Sequence, residues 1–214
     1  MAPLTPLRAS ALRLGFHLEP GMRVGLFGGS FNPAHDGHAH VAETALMRLG
    51  LDRVIWLVSP QNPLKSARHT APLEKRLASA RRFARGPAMI VSAAEDRLGT
   101  RYSLDTLRAL QTRFPAVRFV WVMGADNLAT FHLWRGWPEI LRTVPVAVVA
   151  RPGALLQGRL APAARAFGWA RLGEAAARVL PQTPPPAWIY LNAPLNEASS
   201  THLRAALAPS RSAE

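Results

Sequence analysis

Two histidines three residues apart close the stretch GLFGGSFNPAHDGH, Gly25 to His38. An apolar run leads into Gly28 and Gly29, which have no side chains and so let the backbone come close to a ligand. A helix is expected to begin near Asp36, with its free N–H groups facing the same loop. An anion such as phosphate suits that arrangement. His35 and His38 can turn both rings to one side and donate N–H groups to a single anionic group. The stretch is neither the GxGxxG dinucleotide fingerprint nor a Walker A loop, because no Gly-Lys-Ser/Thr follows. Taken alone, two neighbouring histidines are more often structural or weakly metal-binding, and no third ligand cluster accompanies them.

A second anion-binding candidate is SSTHLR at Ser199 to Arg204. Ser199, Ser200 and Thr201 bring hydroxyls and backbone donors to an expected helix start, and Arg204 follows one turn later, where it can pair with phosphate. Its bland reading is an ordinary N-cap with a solvated arginine. Lys65 lies in a Pro-Gln-Asn-Pro loop of a chain whose other lysine is Lys75. It suits either a phosphate contact or an exposed loop charge.

Apolar β-branched runs alternate with longer amphipathic ones, as expected of βα units on a mostly parallel sheet. Strands are expected at 23–27, 53–58, 88–91, 117–122, 144–150 and 187–191. Helices are expected at 36–49, closed by Gly50, then 72–84, 103–113, 127–131 with 138–142, an alanine-rich one near 161–179, and 199–207. The fold class is therefore α/β, a Rossmann-like doubly wound, mostly parallel sheet. The proline-rich 180–188 reads as a loop rather than a domain linker. The expected organisation is an N-terminal extension, 1–21, followed by one domain, 22–214. Trp56, Trp121 and Trp188 fall inside expected strands and read as core.

The 214 residues, 49% hydrophobic and 18% charged, suit one ordinary folded domain rather than a disordered chain. The absence of cysteine excludes disulfides, thiolate nucleophiles and cysteine-based metal sites, and it accords with a cytoplasmic location. The apolar runs are far shorter than the roughly 18 residues of a membrane-spanning helix. A net charge of +13 invites a nucleic-acid reading. However, the arginines are spread along the chain without interleaved aromatics, and a diffuse positive field equally concentrates a small polyanion such as a nucleoside triphosphate.

The stretch GGSFNPAHDGH resembles the signature of the nucleotidyltransferases with an H-x-G-H motif. The rest of the chain, over roughly 22–207, is similar to the nicotinate mononucleotide adenylyltransferases of bacterial NAD biosynthesis. That similarity rests on PQNPLK (60–65), RYSLDTL (101–107), MGADNLATFHLW (123–134), ARPG (150–153) and SSTHLR (199–204). The H-x-G-H motif alone is shared with phosphopantetheine and glycerol-phosphate relatives and with class I aminoacyl-tRNA synthetases. This chain is short for a synthetase and has no KMSKS segment.

The resemblance implies a nucleotidyltransferase-type fold and attack of the nicotinate mononucleotide 5′-phosphate on the α-phosphorus of ATP. It places Gly28, Gly29, Ser30, Phe31, His35, His38, Ser199, Ser200, Thr201 and Arg204 at ATP, with His35 and His38 as the catalytic pair. It places Lys65, Tyr102, Ser103, Asp126 and Trp134 at the nicotinate mononucleotide. Asp126 corresponds to the ribose-binding aspartate, Tyr102 and Ser103 to a tyrosine–threonine pair, and Trp134 to the residue stacked on the pyridine. Mg²⁺ is implied with ATP, held by phosphate oxygens and water rather than by a protein cage. Small-molecule substrates are the implied partners, with no specific nucleic acid and no membrane, and with oligomerisation left open. Ser103 in place of threonine, Arg101 in place of a small residue and the short chain beyond Leu207 depart from the family pattern.

Overall fold

The computed structural model describes residues 14–60, 70–151 and 160–193. Period-two alternation in its strands sends successive side chains to opposite faces of one sheet. Among the described residues the strands are β1 (Arg23–Gly29), β2 (Arg53–Val58), β3 (Met89–Ser92), β4 (Arg118–Gly124), β5 (Val146–Val149), β6 (Arg171–Leu172) and β7 (Trp188–Leu191). They pair in parallel in the order β3-β2-β1-β4-β5-β7-β6. The described helices are α1 (Asp36–Leu49), α2 (Leu73–Phe83), α3 (Ala94–Leu98), α4 (Ser103–Arg113), α5 (Ala125–Thr130), α6 (Trp137–Thr143) and α7 (Pro162–Ala166).

Helices cover both faces, which is why the strands carry apolar residues on both sides. Ile55 and Leu57 of β2, Phe119 and Trp121 of β4, and Val146 and Val148 of β5 face the layer containing Leu104, Leu107 and Ile140. Val54, Trp56, Val120, Val122, Ala147 and Val149 face α1 and α2, where Ala42, Ala45 and Ala80 let the helices lie close. Trp56, Trp121 and Trp188 are all buried, as expected of strand residues. Gly50 ends α1 in the left-handed region at φ 61°, a conformation glycine adopts without a Cβ penalty.

The α/β parallel sheet matches the expectation, and 53–58, 36–49 and 103–113 form the expected elements with the same ends. Two differences follow from tertiary contacts. The single alanine-rich helix near 161–179 is replaced by α7, a 3₁₀ turn at Gly168–Ala170, β6 and a 3₁₀ run at Glu174–Gln182. Gly168 and Gly173 interrupt the helical pattern, Pro181 lacks an N–H, and β6 is drawn to the edge of β7. The indole N–H of Trp188 fixes this return by donating to the Phe167 carbonyl at 2.8 Å. At the other end, Leu14, Phe16 and Leu18 are buried in the same core as β4, and Ser92 Oγ donates to the Leu14 carbonyl at 2.6 Å. Residues from Leu14 onward thus pack with the sheet, although the sequence reading assigns 1–21 to an extension.

Helix α3, not anticipated from the sequence, carries a buried carboxyl. Glu95 is 4% exposed, and burial lifts its pKa from an ordinary 4.5 to about 7. The folded state therefore holds this proton more firmly than the unfolded chain. The contribution of Glu95 to stability falls as pH rises from about 4.5 to about 7, by roughly 3 kcal/mol. Glu95→Gln is expected to raise the urea midpoint above pH 7 and leave it nearly unchanged near pH 4. Equal midpoints for both proteins above pH 7 would show that the ionised carboxylate is accommodated without cost.

Candidate active site

The sheet order reverses beside β1: β2 and β3 lie on one side, and β4, β5 and β7 on the other. In open parallel sheets the crevice at the carboxyl ends of strands at such a reversal is where ligands bind. The loop that leaves β1 enters this crevice and ends at His35, the N-cap of α1, whose backbone is extended at φ −158°. Three residues later, one turn brings the His38 ring beside it, with ring centroids 3.9 Å apart. The two histidines expected to share one side do so.

Their hydrogen bonding separates their roles. The His35 backbone N–H donates to His38 Nδ1 at 3.3 Å. A backbone N–H can only donate, so Nδ1 holds the lone pair and the neutral His38 ring carries its proton on Nε2. The His38 backbone N–H donates to the His35 carbonyl at 2.9 Å. His35 Nδ1 is left buried without a hydrogen-bond partner. The residue is 2% exposed, and burial, aided by the positive charge of Arg151, lowers its pKa to about 4 despite Asp36. His35 is therefore neutral at physiological pH. A buried ring nitrogen without a partner, at the positive end of a 14-residue helix, is an unmet polar demand inside the crevice.

The expected ATP-binding residues before the histidines are packed for support as much as for access. A Cβ on Gly28 would lie 2.5 Å from the Trp121 indole, and one on Gly29 would lie 3.0 Å from the Phe31 ring. The missing side chains thus make room for aromatic packing, a reason additional to ligand approach. Phe31, at φ 46°, is buried edge-on to His38 with centroids 5.0 Å apart. Phe27 and Trp56 back it at 5.4 Å and 5.1 Å. The Ser30 hydroxyl is buried without a partner.

Across the crevice, β4 ends at Gly124 and α5 begins with Ala125 and Asp126. Arg151, just past β5, lies along Gly124 and places Nη1 3.5 Å from Asp126 Oδ2. Its side chain is largely buried, and its charge is felt at His35. The sequence reading used ARPG as a motif but assigned Arg151 no role; its position directly after an apolar strand was the available signal.

Tyr102 is the extended N-cap of α4, and Ser103 is that helix's first residue. The Arg135 guanidinium lies 4.6 Å from the Tyr102 ring centroid, closer than Arg101 at 6.0 Å. Its neighbour Trp134 is half-buried, edge-on to Trp121 at 6.1 Å and to Phe131 at 5.3 Å. Gly136 continues this wall: a Cβ there would lie 2.6 Å from Leu104 Cδ2, next to the start of α4. Arg135 and Gly136, the two residues after Trp134, thus bring that segment against the start of α4, where Tyr102 and Ser103 lie. Arg135 was overlooked because nothing in sequence spacing links it to Tyr102. Lys65, Ser199, Ser200, Thr201 and Arg204 lie outside the described residues.

The reversal beside β1, with a histidine pair on the helix start above it, puts this chain in the nucleotidyltransferase class of α/β folds. The cytidylyltransferase-like family model matches residues 26–206. A protein of Caulobacter sp. (strain K31) called "Probable nicotinate-nucleotide adenylyltransferase" is 66% identical over 183 residues, covering 86% of this chain and 97% of that one. One of the same name from Cereibacter sphaeroides (strain ATCC 17025) is 57% identical over 184 residues, covering 86% and 97%. The structure of Plasmodium falciparum nicotinic acid mononucleotide adenylyltransferase complexed with NaAD shares the fold, with a TM-score of 0.64 at 14% identity, covering 87% and 84% of the two chains. The chain belongs to the cytidylyltransferase-like family, within its nicotinate-nucleotide adenylyltransferase branch.

Proposed function

We propose that this chain transfers AMP from ATP to the 5′-phosphate of nicotinate mononucleotide, forming nicotinate adenine dinucleotide and pyrophosphate in NAD biosynthesis. The observation that carries the reading is the His35–His38 pair at the start of α1, above the sheet reversal, in a chain 66% identical to a relative of that name. A phosphate oxygen of the mononucleotide forms a bond to the α-phosphorus of ATP while the bond from that phosphorus to the pyrophosphate oxygen breaks. The nucleophile is already ionised, so no general base is required. What the protein must supply is alignment of two anions and donors for the charge on the reacting and departing oxygens.

His38 supplies Nε2–H as such a donor. His35, neutral because its cation is disfavoured by burial, supplies hydrogen bonding rather than charge, and the start of α1 adds its dipole. Arg151 contributes the fixed positive charge. Asp126 is assigned to the mononucleotide ribose, and Tyr102, Ser103 and Trp134 to its pyridine. We assign phosphate contacts to Gly28, Gly29, Ser30, Ser199, Ser200, Thr201 and Arg204, and to Lys65 on the mononucleotide.

Among the described residues no group of three His, Cys, Asp or Glu side chains is gathered to hold a metal ion. We assign Mg²⁺ to the ATP phosphates and water, where it would neutralise phosphate charge. The partners we propose are ATP and nicotinate mononucleotide, without a specific nucleic acid. No described helix is long and apolar enough to cross a membrane, and we place the protein in the cytoplasm.

The test is pyrophosphate release by the purified chain with ATP, Mg²⁺ and one of three acceptors: nicotinate mononucleotide, nicotinamide mononucleotide or phosphopantetheine. Release with the first is expected to dominate. Release with phosphopantetheine alone would assign the chain to another H-x-G-H reaction, and no release with any acceptor would favour a nucleotide-binding protein.

A further inference from the structure

The described loops around the histidines converge on one helix. Arg76 of α2 is 2% exposed, yet its hydrogen bonds go to main-chain carbonyls rather than to a carboxylate. Nε–H donates to Ala71 at 2.8 Å, Nη1–H to Ser30 at 2.9 Å and Ser59 at 2.6 Å, and Nη2–H to Pro60 at 2.7 Å. Burial pulls its pKa below the ordinary arginine value. A guanidinium kept inside without an anion is costly unless its donors are satisfied, and here each carbonyl belongs to a loop that must hold its place. Ser30 directly follows β1, and Ser59 and Pro60 directly follow β2.

One turn along α2, Ser79 Oγ accepts the backbone N–H of Ala34, the residue before His35, at 3.0 Å. Asn32 Oδ1 accepts the Ala71 N–H at 3.2 Å, which closes the same loop from the other side. The chain from Ser30 to Ala34 is therefore gripped at both ends by side chains at positions i and i+3 of a single helix.

We propose that Arg76 and Ser79 are positioning residues, and that α2 through them holds His35 and His38 in register with the loop leaving β2. This rests on the adenylyl-transfer reading for its kinetic consequences and on the hydrogen bonds alone for its structural ones. Neither residue touches the reacting atoms. Lysine is no substitute for Arg76, because an ammonium offers three donors from one point, whereas the guanidinium spreads its bonds over four carbonyls.

Ser79→Ala keeps nearly the same volume and is expected to lower kcat about tenfold with KM for ATP nearly unchanged, whereas Arg76→Lys lowers it by about 10² fold. If Ser79 acts through the histidine, Ser79→Ala costs less than about twofold in a His38→Ala background. Nitrogen-15 NMR of the histidine rings without substrates supplies a readout independent of activity. The His38 resonances are expected to move in Ser79→Ala and to stay in place in Arg82→Gln, a change at an exposed position of the same helix. Unmoved His38 resonances in Ser79→Ala, or an undiminished tenfold loss in the His38→Ala background, would overturn the inference. Moved resonances in a protein that transfers no adenylyl group would uphold the positioning and refute only the reaction.

Discussion

His38→Ala is expected to lower kcat by about 10² to 10³ fold while the protein remains folded. The ring lies at the helix start and is half-buried, so its loss removes edge-on contact with Phe31 but leaves the cluster of Phe27, Phe31 and Trp56 in place. The lost Nε2–H is the larger matter, because a donor aimed at charge that grows during reaction stabilises the transition state more than the bound substrate. The loss should therefore appear in kcat, with KM for ATP changing little. His35→Ala is also expected to be damaging, with more of its effect on ATP binding, since its neutral ring provides hydrogen bonding without charge. Steady-state kinetics checks both, and near-normal turnover in His38→Ala would remove that residue from the catalytic role.

Substrate choice carries the second large effect. A carboxylate on the pyridine ring only accepts hydrogen bonds, whereas the amide also presents an NH₂ that meets inward-facing donors unfavourably. The start of α4 at Tyr102 and Ser103 provides backbone and hydroxyl donors, and the Arg135 guanidinium 4.6 Å from the Tyr102 ring adds positive charge at that end. Mispairing a buried polar group costs roughly 1 to 3 kcal/mol per contact, more where a charge is involved. The expected kcat/KM for nicotinate mononucleotide is thus at least about 10² fold above that for nicotinamide mononucleotide. Ser103→Ala should narrow the gap, while Trp134→Ala should weaken both substrates alike, because stacking is indifferent to the substituent. Equal kcat/KM for acid and amide in the unmodified protein would refute the donor-lined pocket.

What could be read from residues alone was whatever depends on short-range pattern. The helix at Asp36–Leu49 announced itself by its apolar spacing and by Gly50, and the strand at Arg53–Val58 by an unbroken apolar run. The pairing of His35 with His38 follows from their separation of three and needs no knowledge of the rest of the fold. Other features depend on partners distant in sequence. Gly168 and Gly173 weaken the helical pattern near Ala161–Val179, but only the fold shows that β7 draws Arg171 and Leu172 into a strand. Gly28 looks like a ligand-approach glycine, and only the fold puts the Trp121 indole against it. Arg76 reads as one more surface arginine on an amphipathic helix until Ser30, Ser59 and Pro60 close over it. Arg135 and Arg151 acquire meaning in the same way, from Tyr102 and Asp126 across the crevice.

Adenylyl transfer to the mononucleotide phosphate can be followed with ATP radiolabelled at its α-phosphate in the reaction with nicotinate mononucleotide. The label is expected to pass into nicotinate adenine dinucleotide, with one unlabelled pyrophosphate released for each dinucleotide formed, and His38→Ala is expected to slow both together. Label recovered as AMP or ADP, with no labelled dinucleotide, would contradict it.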